Sequence, residues 1–336
     1  MGRAIELARL GLGNVSPNPL VGCVIVANGR IIGEGWHRKY GEAHAEINAL
    51  DSVTDASLLP EATVYVNLEP CSHFGKTPPC ADRLVDAGVK RVVIANRDSN
   101  PQVSGKGIEK LKNVGIEVVL GVLEKEGRYL NRRFFTNIEQ GIPYVILKWA
   151  ESADGFIAKA DESILISNSK SRQRVHQWRT EEGAVLVGTN TAMTDNPKLN
   201  VRDWTGRNPV RVVIDRSLRL DKTLKLFDQE QPTLCYNLQR EEQLPNLSYI
   251  KIDGNDFTKQ LLLDLLKRKI GSLIVEGGAQ TLEAFIKAGF WHEARIFRSK
   301  KSMGGGIQSP RLTGTIAWED DLSQDHLRVM RNPLGS

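Results

Sequence analysis

Several things are scarce in this 336-residue chain. It has four cysteines, too few for a disulfide-stapled scaffold. Sparse, clustered thiols point instead to metal binding or catalysis in a reducing compartment. Long apolar runs are missing: stretches such as Leu20–Ala27 fall far short of the ~20 residues a bilayer needs. No secretory leader is expected, because the start, Met1-Gly2-Arg3-Ala4-Ile5-Glu6-Leu7-Ala8-Arg9, spreads charge through an amphipathic helical pattern. A strong excess of either charge is also lacking. There are 45 basic against 40 acidic side chains, a net +5, and the charge is dispersed, with short basic clusters at Arg132-Arg133 and Lys300-Lys301. That balance does not announce a nucleic-acid binder. No internal repeat or low-complexity segment is visible. The expectation is a protein with no membrane and no nucleic-acid partner, resident in the cytoplasm.

What is present suits packed cores: 40% of residues are hydrophobic and 25% charged. The length exceeds one ordinary domain of about 100–200 residues, so two are expected. In the first part, strand and helix signals alternate. Gly22–Val26 reads as a strand, Asn28-Gly29 as a tight turn and Ile31-Ile32 as the return. Helices are predicted over Glu42–Leu50, Ala81–Ala87 and Ile108–Asn113, and strands over Ala62–Asn67, Arg91–Ala95 and Glu117–Leu120. The stretch Thr136–Pro143 is polar and turn-rich and reads as the boundary, giving domains over 1–141 and 142–336. The pattern then restarts. Strands are predicted at Tyr144–Trp149, Ala184–Gly188, Val210–Ile214, Thr233–Tyr236, Tyr249–Ile252, Leu273–Val275 and Ala294–Phe297, with helices at Lys170–Glu181, Phe257–Arg268 and Thr281–Ala288. This is an α/β chain with one layered sheet in each domain.

The most specific chemical signal is His44-Ala45-Glu46 with Cys71 and Cys80, each cysteine preceded by proline. One imidazole and two thiolates suit Zn²⁺, and three protein ligands leave the fourth position of a catalytic zinc open. His44 and Glu46 can serve one centre only at a helix start. Cys80, before another helical run, sits at a second start, whose positive end would favour its thiolate. A zinc-bound water with its pKa near 7 would give its proton to Glu46. The hydroxide would then attack an amino-bearing carbon of a heterocycle, and Glu46 would hand the proton to departing ammonia. The competing readings are a closed structural site, with His73 as fourth ligand, or a set of unrelated core thiols. Cys23, inside an apolar strand, reads as a core thiol. In the second half no Gly-x-Gly-x-x-Gly follows a strand. Instead, Leu273-Ile274-Val275-Glu276-Gly277-Gly278 leads into a helix, a weaker sign of a phosphate cradle. A plain turn is the alternative.

Five segments occur in order: Ser16–Gly22 (Ser-Pro-Asn-Pro-Leu-Val-Gly), Gly41–Glu46 (Gly-Glu-Ala-His-Ala-Glu), Leu68–Cys80, Asn100–Gly107 and Leu130–Phe135. Together they resemble the bifunctional deaminase–reductases of riboflavin biosynthesis, the RibD family, and the likeness covers essentially the whole chain. It implies a cytidine-deaminase-like α/β domain followed by a dihydrofolate-reductase-like α/β domain. It implies one Zn²⁺ in the first and NADPH in the second. The implied substrate is a diaminopyrimidinone carrying a ribosylamino 5-phosphate, deaminated and then reduced from ribosyl to ribityl. By this resemblance Asn18, His37 and Lys76 surround the deaminase substrate. Ser163, Ser167, Arg179, Leu199, Arg202 and Glu276 line the reductase substrate. Leu165, Thr191, Asp195 and Gly278 meet NADPH, with Lys148 in support. For Lys76 and His37 an ordinary solvated side chain is the alternative, and for either arginine a surface salt bridge. Leu165-Ile166-Ser167 departs from the family's Trp-Ile-Thr or Trp-Ile-Ser, and Leu334-Gly335-Ser336 reads as an appended tail. A homo-oligomer formed through the reductase domain is expected. The competing functions are a tRNA-type nucleic-acid deaminase with an accessory domain, a deaminase with an inactive reductase half, and a non-catalytic zinc-stabilised scaffold.

Overall fold

A computed structural model describes residues 1–72, 78–101, 103–159 and 164–333. The chain divides into two compact units, Met1–Gly141 and Ile142–Ser336.

The first unit runs α1 (Gly2–Arg9), β1 (Gly22–Ala27), β2 (Arg30–Trp36), α2 (Ala45–Asp51), β3 (Thr63–Leu68), α3 (Cys80–Asp86), β4 (Arg91–Asn96), α4 (Lys106–Asn113), β5 (Glu117–Leu120), α5 (Glu124–Leu130) and α6 (Arg132–Glu139). Among the described residues its sheet has five strands in the order β2-β1-β3-β4-β5. The β1–β2 hairpin closes through Asn28 and Gly29, both at positive φ (50° and 73°). Two such residues give a turn whose twist matches the strands it joins. β1 also pairs antiparallel with β3, while β3, β4 and β5 run parallel. Buried Ile25, Val64, Val66, Val92 and Ile94 form the core with Ala49, Leu84 and Leu111 from the helices. Parallel strands leave their carboxyl ends on one side, where loops can carry chemistry.

The second unit runs β6 (Tyr144–Glu151), β7 (Phe156–Ala158), α7 (Ser169–Glu181), β8 (Ala184–Gly188), α8 (Thr189–Asp195), β9 (Val210–Ile214), β10 (Thr233–Asn237), β11 (Glu242–Leu244), β12 (Leu247–Lys251), α9 (Phe257–Lys267), β13 (Ser272–Val275), α10 (Ala279–Lys287), β14 (Glu293–Ser299), β15 (Ile307–Gln308), β16 (Thr315–Leu322) and β17 (Asp325–Arg331). Ten of these strands form one sheet in the order β11-β12-β10-β9-β8-β13-β6-β14-β17-β16, and β15 pairs with β7. Strand side chains alternate between two cores: Val145, Leu147 and Trp149 face one, and Tyr144 and Ile146 the other. The chain passes from β6 to β8 and later returns to set β13 between them, so the carboxyl ends of β8 and β13 flank a switch in strand order. Open α/β sheets bind ligands at such points.

The α/β class and the predicted strands match the elements seen, with ends shifted by a residue or two, except that the return strand read at Ile31-Ile32 runs on to Trp36. Two readings are corrected. The segment from Thr136 to Glu139 is not a turn but the end of α6. Asn137 and Glu139 lie outside the face of this short amphipathic helix that buries Phe135 and Thr136. The helix expected from Glu42 begins at Ala45, with His44 extended at its N-cap. The C-terminal hairpin β16–β17 was not anticipated. β16 is an edge strand with no buried residue and no apolar alternation to mark it.

Gly35 fixes the seat of α2. A Cβ there would lie 2.3 Å from the Ala49 nitrogen and 2.6 Å from the Ala45 oxygen. Only a residue without a side chain lets the helix lie this close to β2. Gly35→Ala is expected to destabilise the first unit by about 1–3 kcal/mol, as overpacking a tight contact does. A lowered urea midpoint would show it, and an unchanged midpoint would contradict the packing described.

Candidate functional site

The first site is assembled by two helix starts. His44 caps α2, so its ring leaves the helix axis, and Glu46 lies in the first turn. Cys80 is the first residue of α3, capped by Pro79. The His44 Nδ1 lies 3.6 Å from the Cys71 sulfur and 3.3 Å from the Cys80 sulfur. A tetrahedral zinc with bonds of about 2.0 Å to nitrogen and about 2.3 Å to sulfur needs nitrogen–sulfur edges of about 3.5 Å. The trio therefore fits that ion, and all three ligand atoms lie within 4.8 Å of one another. No fourth His, Cys, Asp or Glu joins them among the described residues. His73, the alternative fourth ligand, lies outside the described residues, as do Lys76, Ser163 and Leu334-Gly335-Ser336.

Glu46 is 3% exposed. Burial, then the Cys71 charge, pushes its carboxyl up to about 7. A carboxyl poised there can accept and return a proton near neutrality. Cys71 is held well below the ordinary thiol range, first by a hydrogen bond from the Cys80 side chain. The α3 amide assists: Cys80 N–H donates to Cys71 Sγ at 3.3 Å. The start of α3 thus supports the Cys71 sulfur directly through this amide. The Cys80 sulfur is instead buried against Cys71 and Glu46, and its own pKa is raised.

Two further predicted residues meet beside this trio. Asn18 Nδ2 lies 3.1 Å from His37 Nε2, while His37 Nδ1 lies 3.1 Å from the Ala43 oxygen. The carbonyl can only accept, so neutral His37 donates through Nδ1 and receives Asn18's amide at Nε2. Burial lowers the His37 pKa, which favours that neutral form. Its ring meets that of His44 edge-on, with centroids 5.4 Å apart. The Asn18 loop is held by residues that sequence reasoning missed. The Asn67 and Asn131 amides both donate to the Leu20 oxygen (2.8 and 2.9 Å). In return they accept from the Gly22 and Leu20 amides (both 2.7 Å). Asn131 lay within the quoted Leu130–Phe135 motif, but nothing local to it points 111 positions back.

In the second unit a charged network gathers at the carboxyl end of β13. Arg179 donates to both Glu276 oxygens at 2.8 Å and to the Asn200 oxygen at 3.0 Å. Lys148 Nζ lies 3.9 Å from Glu276. Arg179, then Lys148, overcomes burial to hold the Glu276 carboxyl at about 2. Arg202 joins through Asn200 Oδ1 at 2.7 Å, and its amide donates to His176 Nδ1 at 3.1 Å. Arg202 is exposed, whereas the Arg179 guanidinium is engaged within the protein. The Leu199 side chain is buried in the core, so that residue can offer a ligand only its backbone. A Cβ on Gly278 would lie 3.0 Å from Thr191 Oγ1, so the bare glycine keeps open a cradle between the starts of α8 and α10. Such a cradle fits a dinucleotide phosphate. Ser167 is half-buried just before α7. Leu165, 68% exposed, and Asp195, at the exposed end of α8, take no part in the Arg179–Glu276 network.

Residues 1–96 match the model of the cytidine and deoxycytidylate deaminase zinc-binding region, and residues 143–332 that of the RibD C-terminal domain. The riboflavin biosynthesis protein RibD of Aquifex aeolicus is 43% identical, over 90% of this chain and 87% of the relative. That of Haemophilus influenzae is 38% identical, over 100% and 97%. Among solved structures, a diaminohydroxyphosphoribosylaminopyrimidine deaminase/5-amino-6-(5-phosphoribosylamino)uracil reductase from Thermotoga maritima superposes with a TM-score of 0.91 at 39% identity, covering 98% of this chain and 97% of that one. RibD of Acinetobacter baumannii gives 0.89 at 36%, with the same coverage.

Removing the carboxylate from the buried Glu276 pair leaves two cations facing each other. Glu276→Gln is expected to cost about 3–5 kcal/mol, as breaking a buried ion pair does. The folded-state pKa of Glu276 lies below its ordinary value, so the pair's contribution is complete above the ordinary carboxylate range. It is lost as pH falls toward about 2. Denaturation of wild type and variant between pH 7 and pH 3 measures both effects: the difference should be largest at neutrality and shrink on acidification.

Proposed function

The chain belongs to the RibD family of riboflavin biosynthesis, a zinc-binding deaminase domain joined to a reductase domain, and from that premise we propose which of its residues carry the two reactions. The domains are assigned to 1–141 and 142–336. The substrate is 2,5-diamino-6-ribosylamino-4(3H)-pyrimidinone 5′-phosphate, whose deaminated product is then reduced at the ribosyl group to ribityl. The observation that carries the first assignment is His44 Nδ1 set at 3.3 and 3.6 Å from two sulfurs, with Glu46 buried beside them.

His44, Cys71 and Cys80 hold the zinc. Bound zinc supplies Lewis acidity that brings the deprotonation of water into the neutral range. Glu46 takes that proton on its carboxylate and delivers it to the departing amine; its raised pKa suits both halves of the transfer. Asn18 reads the edge of the heterocycle, and His37, kept neutral, fixes the Asn18 amide. Lys76 neutralises the substrate phosphate.

In the reductase, the Gly278 and Thr191 cradle receives NADPH, with Leu165 and Asp195 alongside. The cofactor supplies hydride. Arg202 offers its exposed guanidinium fork to the sugar phosphate. Arg179 orients Glu276 and the Asn200 backbone, and the Leu199 backbone, Ser163 and Ser167 complete the substrate's surroundings. Lys148, whose pKa burial lowers, supports Glu276. No described helix is long and apolar enough to cross a membrane. We propose that the chain works in the cytoplasm on a small molecule and not on nucleic acid. We also propose that it assembles as a homo-oligomer through the reductase domain, whose edge strand β16 exposes Ile316 and Trp318.

Glu46→Gln is expected to keep its zinc and lower ammonia release by about 10²–10⁴-fold, the usual worth of a general acid–base group. The same variant should still oxidise NADPH at the wild-type rate when given the deaminated pyrimidine. Ammonia release at the wild-type rate would refute the role of Glu46. Separately, Arg202→Ala should raise the reductase KM for the phosphorylated substrate by about tenfold or more, the loss of one charge-assisted contact. The KM for NADPH should stay unchanged, and steady-state kinetics with each reactant varied would distinguish the two.

A further inference from the structure

Glu69 is buried (4% exposed) two residues before Cys71. Its carboxylate accepts four backbone amides. Oε2 takes those of Asp98 and Gly105 at 3.3 and 3.0 Å, and Oε1 those of Gly107 and Ile108 at 3.0 and 3.3 Å. The last two belong to the first turn of α4, where amides have no partner within the helix. Glu69's own amide donates to the Asn96 oxygen at 2.9 Å, tying the end of β3 to the end of β4. The capped helix start is in turn pressed against the residue preceding the ligand. A Cβ on Gly107 would lie 2.1 Å from the Pro70 oxygen. On its other side Cys71 is gripped by α3, whose Ala81 amide donates to the Cys71 oxygen at 3.1 Å and whose Cys80 amide donates to its sulfur at 3.3 Å. Cys71 is thus fixed between two helix starts, and Glu69 locks one of them in place.

We propose that Glu69 is a positioning residue for zinc binding: by capping α4 and seating Gly107 on Pro70, it holds the Cys71 thiolate where the ion needs it. This rests on the zinc-site reading above. Groups that orient metal ligands are typically worth about 10–100-fold in metal affinity. A residue that only capped a helix would change stability and leave zinc affinity alone.

The test is zinc affinity of the full chain by competition with a chromophoric chelator, for wild type, Glu69→Gln and Val64→Ala. Val64 is fully buried in the core of the first unit, on β3, five residues before Glu69, so V64A reports what lost stability alone does. E69Q should bind zinc about 10–100-fold more weakly, with V64A within about twofold of wild type. An E69Q affinity equal to that of V64A overturns the proposal. A second reading needs no variant. Coupling is reciprocal, so stripping zinc from the wild-type chain should speed hydrogen exchange at the Gly105, Gly107 and Ile108 amides by about tenfold or more, while those of β1 hold. Unchanged exchange at these three amides also overturns it. A wild-type chain that took up no zinc would sink the zinc-site reading itself, whereas a zinc-binding wild type with an unaltered E69Q removes only the role of Glu69.

Discussion

The first unit depends on one constraint: an imidazole nitrogen and two sulfurs must be held together at the distances a small divalent ion imposes. No single segment can do this. His44 and Glu46 are too close in sequence to converge along a regular helix. Cys80 is 36 residues from His44. The fold answers with two helix starts, α2 and α3, and a strand end, and the packing around them serves that convergence. Gly35 admits α2 against β2, Pro79 starts α3, and the Asn67 and Asn131 amides pin the chain at Leu20 near Asn18. The two asparagine amides are buried with their partners made, as buried polar groups require.

The reductase unit reaches a comparable density of charge by different means. There the organising pair is Arg179 with Glu276, drawn from a helix and a strand end 97 residues apart. Glu276 carries two neighbouring cations, and this fixes which groups remain for a ligand. Arg179 is spent inside the network, and Arg202 is the exposed guanidinium. Of the two arginines that the resemblance puts at the substrate, one is thus engaged within the protein and one is exposed. At the carboxyl end of β13, Gly278 faces Thr191 at the start of α8, where a Cβ would leave no room.

Much of this was legible in the residues. Zinc chemistry demands particular side chains, and His44, Glu46, Cys71 and Cys80 are too specific a set to arise from packing alone. The buried parallel strands, rich in Val and Ile, are equally plain. What stayed hidden depends on distance and context. Asn67, Asn131 and Glu69 look like ordinary polar residues until the fold brings distant backbone amides to them. β17 buries Asp325, Leu327 and Val329 at every second position, a signal that was present but diluted by the charged edge strand beside it. The outer face of α6 mimicked a linker because a short amphipathic helix and a polar turn share a composition.

The most direct measurement of the central claim is X-ray absorption at the zinc edge on the purified full chain, with metal content determined in parallel. One zinc per chain is expected, with two sulfurs at about 2.3 Å, one imidazole nitrogen at about 2.0 Å and a single light oxygen completing four-coordination. Substoichiometric zinc, or a shell completed by a second imidazole or a third sulfur, would contradict it.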